Sequence, residues 1–361
     1  MGTYFLIDKM DKKALKFDQH NLQYYGIIGI IGIRGLGSGK FFKLNGDHKI
    51  GRDESRIGHF LYINDYCNQH IILHYLKVLL EPFFTVIPNG KIGDEDVGNY
   101  SFNEMSTTGF NMNHIEKVLH TSTLSSFSFQ FPDGSSGNLT TDNPVSAQVD
   151  SAFIENAGEE IKKFGSKGII IAVPEVPLSE RQKLLKLGKQ QKLFCAASFT
   201  SEELQYAMDS GIRANIDLIA FNIHESFAVT GASFEEMDTN ETVKSTVRKV
   251  QTLNKSTMVS NTPGKQGSLC LDDHSSNALP AIKAEAISTA GARDEFFSGL
   301  LCGINLGFNP FESQQFVTSV AGLSVTFPHT IHKGIDRHSL RNFTNLSDHI
   351  FSKIIIKLME A

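Results

Sequence analysis

Short apolar runs alternate with helical patterns through most of the chain, and this alternation constrains the fold more than any other feature. The clearest run is Gly168–Val173 (GIIIAV), which is followed by a helical pattern at Leu178–Gly188. An apolar run without polar alternation is typical of a strand that is buried on both faces. Strands that alternate with helices predict a largely parallel sheet with helices on both sides, which is an α/β fold.

The same patterns place further elements along the chain. Strands are predicted at Gly26–Ile33, Phe83–Ile87, Leu193–Ser198, Ile216–Phe221 and Ser256–Ser260. Helices are predicted at Gln69–Leu80 and Ser201–Ser210. In open sheets of this kind, ligands bind beyond the carboxyl ends of the strands. We therefore expect the functional residues to lie directly after the strands.

One stretch has a different pattern. Apolar and polar residues alternate in Leu124–Phe131, a Pro-Asp-Gly turn follows, and a short strand is predicted around Asn138–Thr141. This arrangement predicts an antiparallel hairpin outside the main sheet. Because no repeat, low-complexity tract or Pro-rich linker divides the chain, we expect one domain over residues 1–361 with a small β extension.

Charge and composition exclude several classes of protein. A net charge of -5 argues against a broad nucleic-acid-binding surface. The apolar run Gly26–Ile33 is too short to span a bilayer and lacks the features of a signal peptide. The four cysteines form no C-x-x-C pair, which is typical of reduced thiols. The sequence therefore predicts a soluble, cytoplasmic protein that binds neither nucleic acid nor membrane.

The Gly-rich stretch Gly29–Lys40 invites two nucleotide-binding interpretations, and both fail. A P-loop requires Ser or Thr after Gly-Lys, but Phe41 stands there, and Arg34 replaces the first glycine. A dinucleotide fingerprint requires a glycine three residues after Gly37, where Lys40 stands. The remaining interpretation is a flexible exit from a strand into a loop.

The most informative segment is Ser288–Gly307, STAGARDEFFSGLLCGINLG. Small residues precede a helix, so several backbone N–H groups and the positive end of the helix would meet in one anion site. Asp294 at this point would be placed to accept the proton of an attacking hydroxyl. An ordinary helix N-terminus with an acidic first turn would also explain Asp294 and Glu295. The segment by itself leaves both interpretations open.

Four segments, taken in order, resemble the motifs of PfkB-type carbohydrate kinases of the ribokinase-like superfamily. Ser288–Gly307 resembles the carboxyl-terminal signature D-T-T-G-A-G-D-x-F-x-x-G-L, and Asp217–Gly231 resembles the P-N-x-x-E segment. Asn261–Asp272 resembles V-T-x-G-x-x-G, and Gly90–Gly98 resembles G-x-x-G-D-D-x-x-G. The resemblance implies a ribokinase-like three-layer α/β/α fold with a mostly parallel central sheet. It also implies a small β lid from segments around 40–60 and 118–142.

The resemblance also implies a role for particular residues. Asp294 would be the catalytic base. The backbone of the anion hole would come from Gly291, Ala292 and Arg293. Asn222 and Glu225 would organise magnesium and phosphate through water, with no direct protein ligand to the metal. The nucleotide would be bordered by Thr262, Gly264 and Gly267, and the substrate would contact Asn68, Gly93 and Asp94.

The activity implied is transfer of a phosphoryl group from ATP to an alcohol group of a sugar or sugar-like molecule. The implied cofactors are ATP and Mg²⁺, with a monovalent cation as in some relatives. The implied partners are the small-molecule substrate and a second copy of the chain, joined through the lid.

The chain also departs from the family pattern. Arg293 replaces the second glycine of the signature, and Ile63 and Asn64 stand where a glycine pair belongs. The sugar-binding Asp that follows the first strand has no clear counterpart, and Ile287-Ser288 replace the acidic residue that opens the last motif. These departures leave a non-catalytic binding or scaffold protein as the alternative. The long spacing between Asn68 and Gly90 leaves a nucleoside kinase as a further one.

Overall fold

Two β-sheets and the helices around them make up the part of the chain that the structure describes. The computed structural model describes residues 29–33, 35–46, 51, 53–80, 84–132, 136–231, 239–253, 257–262, 267–271 and 276–347. In chain order the strands are β1 (Gly29–Ile33), β2 (Gly37–Leu44), β3 (Gly58–Tyr66), β4 (Thr85–Gly93), β5 (Ile115–Val118), β6 (Leu124–Gln130), β7 (Ser136–Thr140), β8 (Gly168–Ala172), β9 (Phe194–Ser198), β10 (Leu218–Asn222), β11 (Met258–Thr262), β12 (Ser268–Leu271) and β13 (Ser276–Leu279). The α-helices are α1 (Asn68–Leu79), α2 (Asp96–Thr107), α3 (Ser151–Asn156), α4 (Gly158–Lys163), α5 (Leu178–Gln190), α6 (Ser201–Asp209), α7 (Ile223–Thr230), α8 (Thr239–Leu253), α9 (Ala292–Asn305), α10 (Pro310–Ser324) and α11 (Arg337–Ser347).

The large sheet is mostly parallel, as the sequence predicts. Within the described residues its strand order is β13-β12-β11-β10-β9-β8-β1-β4-β5. Neighbouring strands from β5 to β11 pair in parallel, whereas β12 and β13 add an antiparallel edge. The strands predicted at Gly168–Val173, Leu193–Ser198 and Ile216–Phe221 are confirmed, with ends shifted by one or two residues.

Both faces of this sheet are covered by helices. Because successive side chains of a strand point to opposite faces, Ile30 of β1 packs into one core and Ile31 into the other. The core around Ile30 includes side chains from α1, α9 and α10. The core around Ile31 includes side chains from α5, α6 and α8. The expected three-layer arrangement is therefore confirmed.

The second sheet is small and has the strand order β3-β2-β6-β7 in the described residues. β6 and β7 pair antiparallel, which confirms the predicted hairpin. β2 pairs parallel with β6 and antiparallel with β3. Phe42 of β2 and Phe60 of β3 make an edge-to-face contact with ring centroids 5.1 Å apart. These strands come from the two segments expected to form the lid, and their function as a lid stays a prediction.

The Gly-rich stretch after β1 is not the flexible exit that its composition suggests. Gly37 opens β2, and a Cβ on it would overlap the backbone of Leu124 in the neighbouring strand. A Cβ on Gly39 would overlap the side chains of Asp65 and Ser126. These glycines are required because other atoms approach the backbone of β2 closely, so the expectation of a flexible loop is wrong.

Several other expectations concern helices, thiols and metals. In the described residues, no helix has the length and apolar character needed to cross a membrane. The four cysteines are buried and form no disulfide with one another. His70 and His74 lie in the buried part of α1, and burial lowers the pKa of His74 to about 4. No group of three or more metal-binding side chains is found in the described part of the chain.

Candidate functional site

A cavity of about 300 Å³ lies between the small sheet and the N-termini of α1 and α9. Its walls come from the small sheet, from both helices and from loops such as the one that follows β8, and most of its polar groups are neutral. The described residues that border it are Gly37, Ser38, Phe41, Asp65, Tyr66, Cys67, Asn68, Ile71, Leu124, Ser126, Ser128, Asn138, Thr140, Glu175, Ala290, Gly291, Asp294 and Thr330. A cavity of this size suits a small polar molecule.

The N-terminus of α9 begins with a glycine in a conformation that other residues rarely adopt. Gly291 has a φ of +85°. A Cβ there would lie 2.8 Å from the carbonyl oxygen of Thr330. Arg293 lies within α9 and has no positive φ, so this substitution of a motif glycine causes no backbone strain.

The backbone amides of the expected anion hole differ in whether they donate a hydrogen bond to another backbone group. The first intrahelical bond runs from Glu295 N–H to Gly291 C=O at 3.0 Å, and Ala292 N–H donates to Thr289 C=O at 3.3 Å. Arg293 and Asp294 lie in the first turn, where amides have no acceptor inside the helix. Of the expected hole, the amide of Ala292 is thus engaged, whereas the amides of Arg293 and Asp294 remain for an anion.

Asp294 borders the cavity from the first turn of α9 and is 6% exposed. One guanidinium nitrogen of Arg293 lies 3.5 Å from its Oδ1. A buried carboxylate at the wall of a small polar cavity can accept a proton from a hydroxyl bound there. The structure thus places the expected base beside the cavity.

Asn222 and Glu225 form the N-terminus of α7. Asn222 ends β10, and its Oδ1 accepts from Glu225 N–H at 2.8 Å. Glu225 Oε2 accepts in return from Asn222 N–H at 2.8 Å, which completes a capping box. Arg293 Nη1 lies 2.6 Å from Glu225 Oε1, so this pair connects α7 with α9. Asn222 and Glu225 are brought together with Arg293 and Asp294 as one cluster.

Two of the three residues expected to border a nucleotide, Thr262 and Gly267, lie at the adjoining ends of the neighbouring strands β11 and β12. Thr262 ends β11 and is in register with Asn222 of β10. Gly267 precedes β12 with a φ of +103°, where a Cβ would overlap the carbonyl oxygen of Leu279. Gly264 lies outside the described residues.

The three residues expected to contact the substrate lie in two different parts of the structure. Asn68 is the first residue of α1 and borders the cavity. Gly93 donates its N–H to Thr123 Oγ1 at 2.8 Å, and Asp94 Oδ1 accepts from His120 N–H at 3.0 Å. Neither Gly93 nor Asp94 is among the residues that border the cavity. Their contacts shape the connection from β4 to α2.

Two acidic residues of the cavity were missed by sequence reasoning. Asp65 lies on β3, its Oδ2 accepts from Ser126 Oγ at 3.0 Å, and burial raises its pKa to about 6. Glu175 follows β8 and has a φ of +74°, which is uncommon for a non-glycine residue and is often found at functional sites. The rule that functional residues follow strands would have selected Glu175. No such rule selects Asp65, because β3 carries exposed and polar residues and was not predicted.

A comparison with models of protein families identifies the family of this chain. The model described as "pfkB family carbohydrate kinase" matches residues 67–336, more than half of the chain. The chain belongs to this family. No curated protein sequence matches it.

Solved structures of two ribokinases and a nucleoside kinase share the fold at low sequence identity. Ribokinase from Giardia lamblia superposes with a TM-score of 0.73 at 17% identity, covering 88% of this chain and 98% of that one. Ribokinase from Cryptococcus neoformans var. grubii in complex with ADP has a TM-score of 0.71 at 16% identity, covering 87% and 99%. Nucleoside kinase from Burkholderia thailandensis in complex with inosine has a TM-score of 0.66 at 16% identity, covering 87% and 96%.

The family resemblance implies a role in magnesium binding for Asn222 and Glu225. The carboxylate of Glu225, however, already accepts several hydrogen bonds. Glu225 accepts from the backbone and side-chain N–H groups of Asn222 and from Arg293. A cation next to Glu225 would have to displace the guanidinium and would be repelled by it. While this ion pair is made, these residues do not fit a divalent cation.

Proposed function

We propose that this protein transfers the γ-phosphoryl group of ATP to a hydroxyl of a sugar or sugar-like polyol bound in the cavity. The observation that carries the proposal is the buried Asp294 at the N-terminus of α9, on the wall of a polar cavity of about 300 Å³. Catalysis of this kind depends on positioning and on stabilisation of charge more than on covalent chemistry.

The residues of this chain divide the step between them. Asp294 accepts the proton of the substrate hydroxyl while the hydroxyl oxygen forms its bond to the γ-phosphorus. The bond from the γ-phosphorus to the bridging oxygen breaks, and ADP leaves with that oxygen. The first-turn amides of Arg293 and Asp294, at the positive end of α9, oppose the charge that builds on the transferred group.

The polyol would be held by other polar groups that border the cavity. Asp65 and Asn68 border the cavity and offer acceptors and donors for hydroxyl groups. Ser38 and Ser128 add hydroxyls from the small sheet. The nucleotide would lie beyond the ends of β10 and β11, beside Asn222 and Thr262, where open sheets bind ligands. A bound ADP in the Cryptococcus ribokinase supports a nucleotide in this fold.

The small sheet is proposed to act as a lid and to join two copies of the chain. Several large apolar side chains on or beside its strands are exposed, and Phe60 and Tyr62 of β3 are 54% and 99% exposed. Leu139 of β7 is 62% exposed. Exposed apolar residues close together are typical of an interface. Light scattering on the full chain would give the mass of a dimer, and that of a monomer would contradict this part of the proposal.

The experiment for the main proposal is an ATP-consumption assay over a panel of sugars and nucleosides. We expect turnover with one class of acceptor, and Asp294→Asn should lower kcat by about 10²- to 10⁴-fold because the base is lost. Asp209→Asn, on the exposed end of α6, is the matched control and should keep full activity. Turnover that survives in Asp294→Asn would show that Asp294 is not the base.

Two other functions are each favoured by one observation. A non-catalytic binding protein is favoured by the ion pairs of Arg293 with Glu225 and Asp294, which engage both motif carboxylates. Binding of ATP with no turnover on any acceptor would support it. A nucleoside kinase is favoured by the similarity to the Burkholderia enzyme, and turnover confined to nucleosides would support it.

A further inference from the structure

The guanidinium of Arg293 lies between the two carboxylates that the family motifs contribute. Its Nη1 is 2.6 Å from Glu225 Oε1, and its Nη2 is 3.5 Å from Asp294 Oδ1. Glu225 belongs to α7 and Asp294 to α9, so one side chain connects the two elements that border the proposed phosphate site. A positive charge that belongs to the chain therefore occupies the centre of this site.

Glu225 has little capacity left for a metal. Its side chain is 4% exposed, and both of its oxygens accept from Asn222 in addition to the bond from Arg293. Hydrated Mg²⁺ would need an open carboxylate lone pair at this place and would meet the guanidinium instead. Across the residues that the structure describes, no cluster of three or more His, Cys, Asp or Glu side chains is found.

The guanidinium itself remains accessible to a ligand. The Arg293 side chain is 29% exposed. Two of the five N–H donors of a guanidinium serve Glu225 and Asp294, which leaves three. A planar guanidinium matches the oxygens of a phosphate, and the N-terminus of α9 adds its partial positive charge beside it.

Arg293 also changes the summed charge of the side chains at this place. Glu225 and Asp294 alone would place two negative charges next to the phosphates of a nucleotide and would repel them. With Arg293 between them, the three side chains carry a net charge of one negative unit. A phosphate can therefore approach Arg293 without an added cation to neutralise both carboxylates.

We propose that Arg293 is the resident counter-charge of the phosphate site: it keeps divalent cations from Glu225 and binds nucleotide phosphates directly. This inference rests on the proposed function, because it takes a nucleotide as the ligand. It makes the affinity for nucleotide independent of divalent cation, which a glycine at position 293 would not allow.

The test is calorimetric titration of the full chain with a non-hydrolysable ATP analogue, once with excess Mg²⁺ and once with EDTA. The quantity compared is the ratio of the Kd in EDTA to the Kd in Mg²⁺. In the wild-type protein we expect a ratio within about threefold of one, and in Arg293→Gly a ratio of at least about tenfold. Arg293→Gln, which keeps the helix propensity and removes the charge, should behave like Arg293→Gly. Lys163→Gln, which breaks an exposed ion pair on α4, should keep the wild-type ratio.

Each outcome of the titration either supports or overturns the inference about Arg293. A wild-type ratio of about tenfold or more, an unchanged ratio in both Arg293 variants, or no binding of the analogue at all would overturn the inference. The phosphotransfer assay separates this inference from the proposed function. Cation-independent binding without turnover on any acceptor would keep the inference and reject the kinase activity. Turnover with strictly Mg²⁺-dependent binding would do the reverse.

Discussion

The carboxylate of Asp65 on β3 fills the space in which a side chain at Gly39 on β2 would lie. The two residues are paired in the small sheet, and a Cβ at Gly39 would overlap both the Asp65 carboxylate and the Ser126 hydroxyl. The absence of a side chain on one strand thus allows a carboxylate from the next strand to border the cavity. This relationship gives the cavity an acidic group that no motif of the sequence predicts.

Gly39→Ala should therefore disturb both the small sheet and the cavity. The added methyl group would overlap the ends of the Asp65 and Ser126 side chains and force them to move, so we expect a loss of about 1–3 kcal/mol in the free energy of unfolding and a higher KM for the polyol. Chemical denaturation and steady-state kinetics measure the two effects. Gly211→Ala is the control, because a Cβ there has nothing within 4 Å and should change neither quantity. Unchanged stability in Gly39→Ala would contradict the close approach.

Asp65 should make binding of the acceptor depend on pH. Burial raises the pKa of its carboxyl to about 6, so the group is protonated below that pH and charged above it. A carboxylate accepts hydroxyl hydrogen bonds more strongly than a carboxylic acid, so the KM for the polyol should fall as pH rises from 5 to 7. Asp65→Asn should remove this dependence and raise KM about 10- to 100-fold at pH 7. The measurement is the pH profile of KM.

Ser126→Ala tests the same assignment without removing the carboxylate. The hydrogen bond from Ser126 lowers the pKa of Asp65, so its loss should move the midpoint of the KM profile to higher pH. If the profile of Ser126→Ala coincides with that of the wild type, a group other than Asp65 titrates.

Glu295 should make stability decrease with rising pH. Burial raises the pKa of its carboxyl to about 8, the charge of Asp294 acts in the same direction, and hydrogen bonds from Ser324 and Tyr75 oppose the shift. The folded protein therefore retains a proton that the unfolded chain loses above about pH 4.5. The stabilisation is fully present below pH 4.5 and is lost as pH rises to about 8, at about 1.4 kcal/mol for each unit of pKa difference.

Glu295→Gln is neutral at every pH and should lack this loss. Its Tm relative to the wild type should rise between pH 5 and pH 8, which a series of thermal melts measures. Glu312→Gln, which changes the same residue type at the N-terminus of α10, is the comparison. A difference in Tm that stays constant over this range would mean that Glu295 is already charged at pH 5.

Arg181 should be among the most sensitive positions for stability. It is 0% exposed, forms an ion pair with Glu203, and donates to the carbonyl oxygens of Val176 and Ser198. Arg181→Met would leave these acceptors without their donor, with an expected loss of about 3–5 kcal/mol in the free energy of unfolding. Urea denaturation measures it. Arg248→Met, on an exposed face of α8, should cost less than about 1 kcal/mol.

Much of the large sheet could be predicted because its signal is local. A run such as Gly168–Val173 is apolar throughout, since a parallel strand between two layers of helices must be buried on both faces. The hairpin at β6 and β7 was predicted for a related reason, because one face of it is apolar and a turn sequence separates the strands. The helix N-terminus at Gly291 and Asp294 also follows from local sequence, since small residues before a helix favour its start there.

The small sheet and the cavity depend on pairing between distant segments, and the sequence did not predict that pairing. β2 and β3 contain glycines and exposed polar residues, so no periodic pattern identified them as strands. Asp65 became a cavity residue only because β3 pairs with β2, and Gly93 and Asp94 lie elsewhere because contacts to residues 120 and 123 hold that turn.

The sequence by itself determined the layered α/β architecture, the family and the position of Asp294, because these follow from apolar periodicity and from short motifs. Only the tertiary structure decided what Arg293 does. Its substitution for a motif glycine suggests backbone strain, but its backbone is helical and its guanidinium reaches Glu225 on another element. Residues 225 and 293 are far apart in the chain, and electrostatic attraction acts between them only after the large sheet has brought α7 and α9 together.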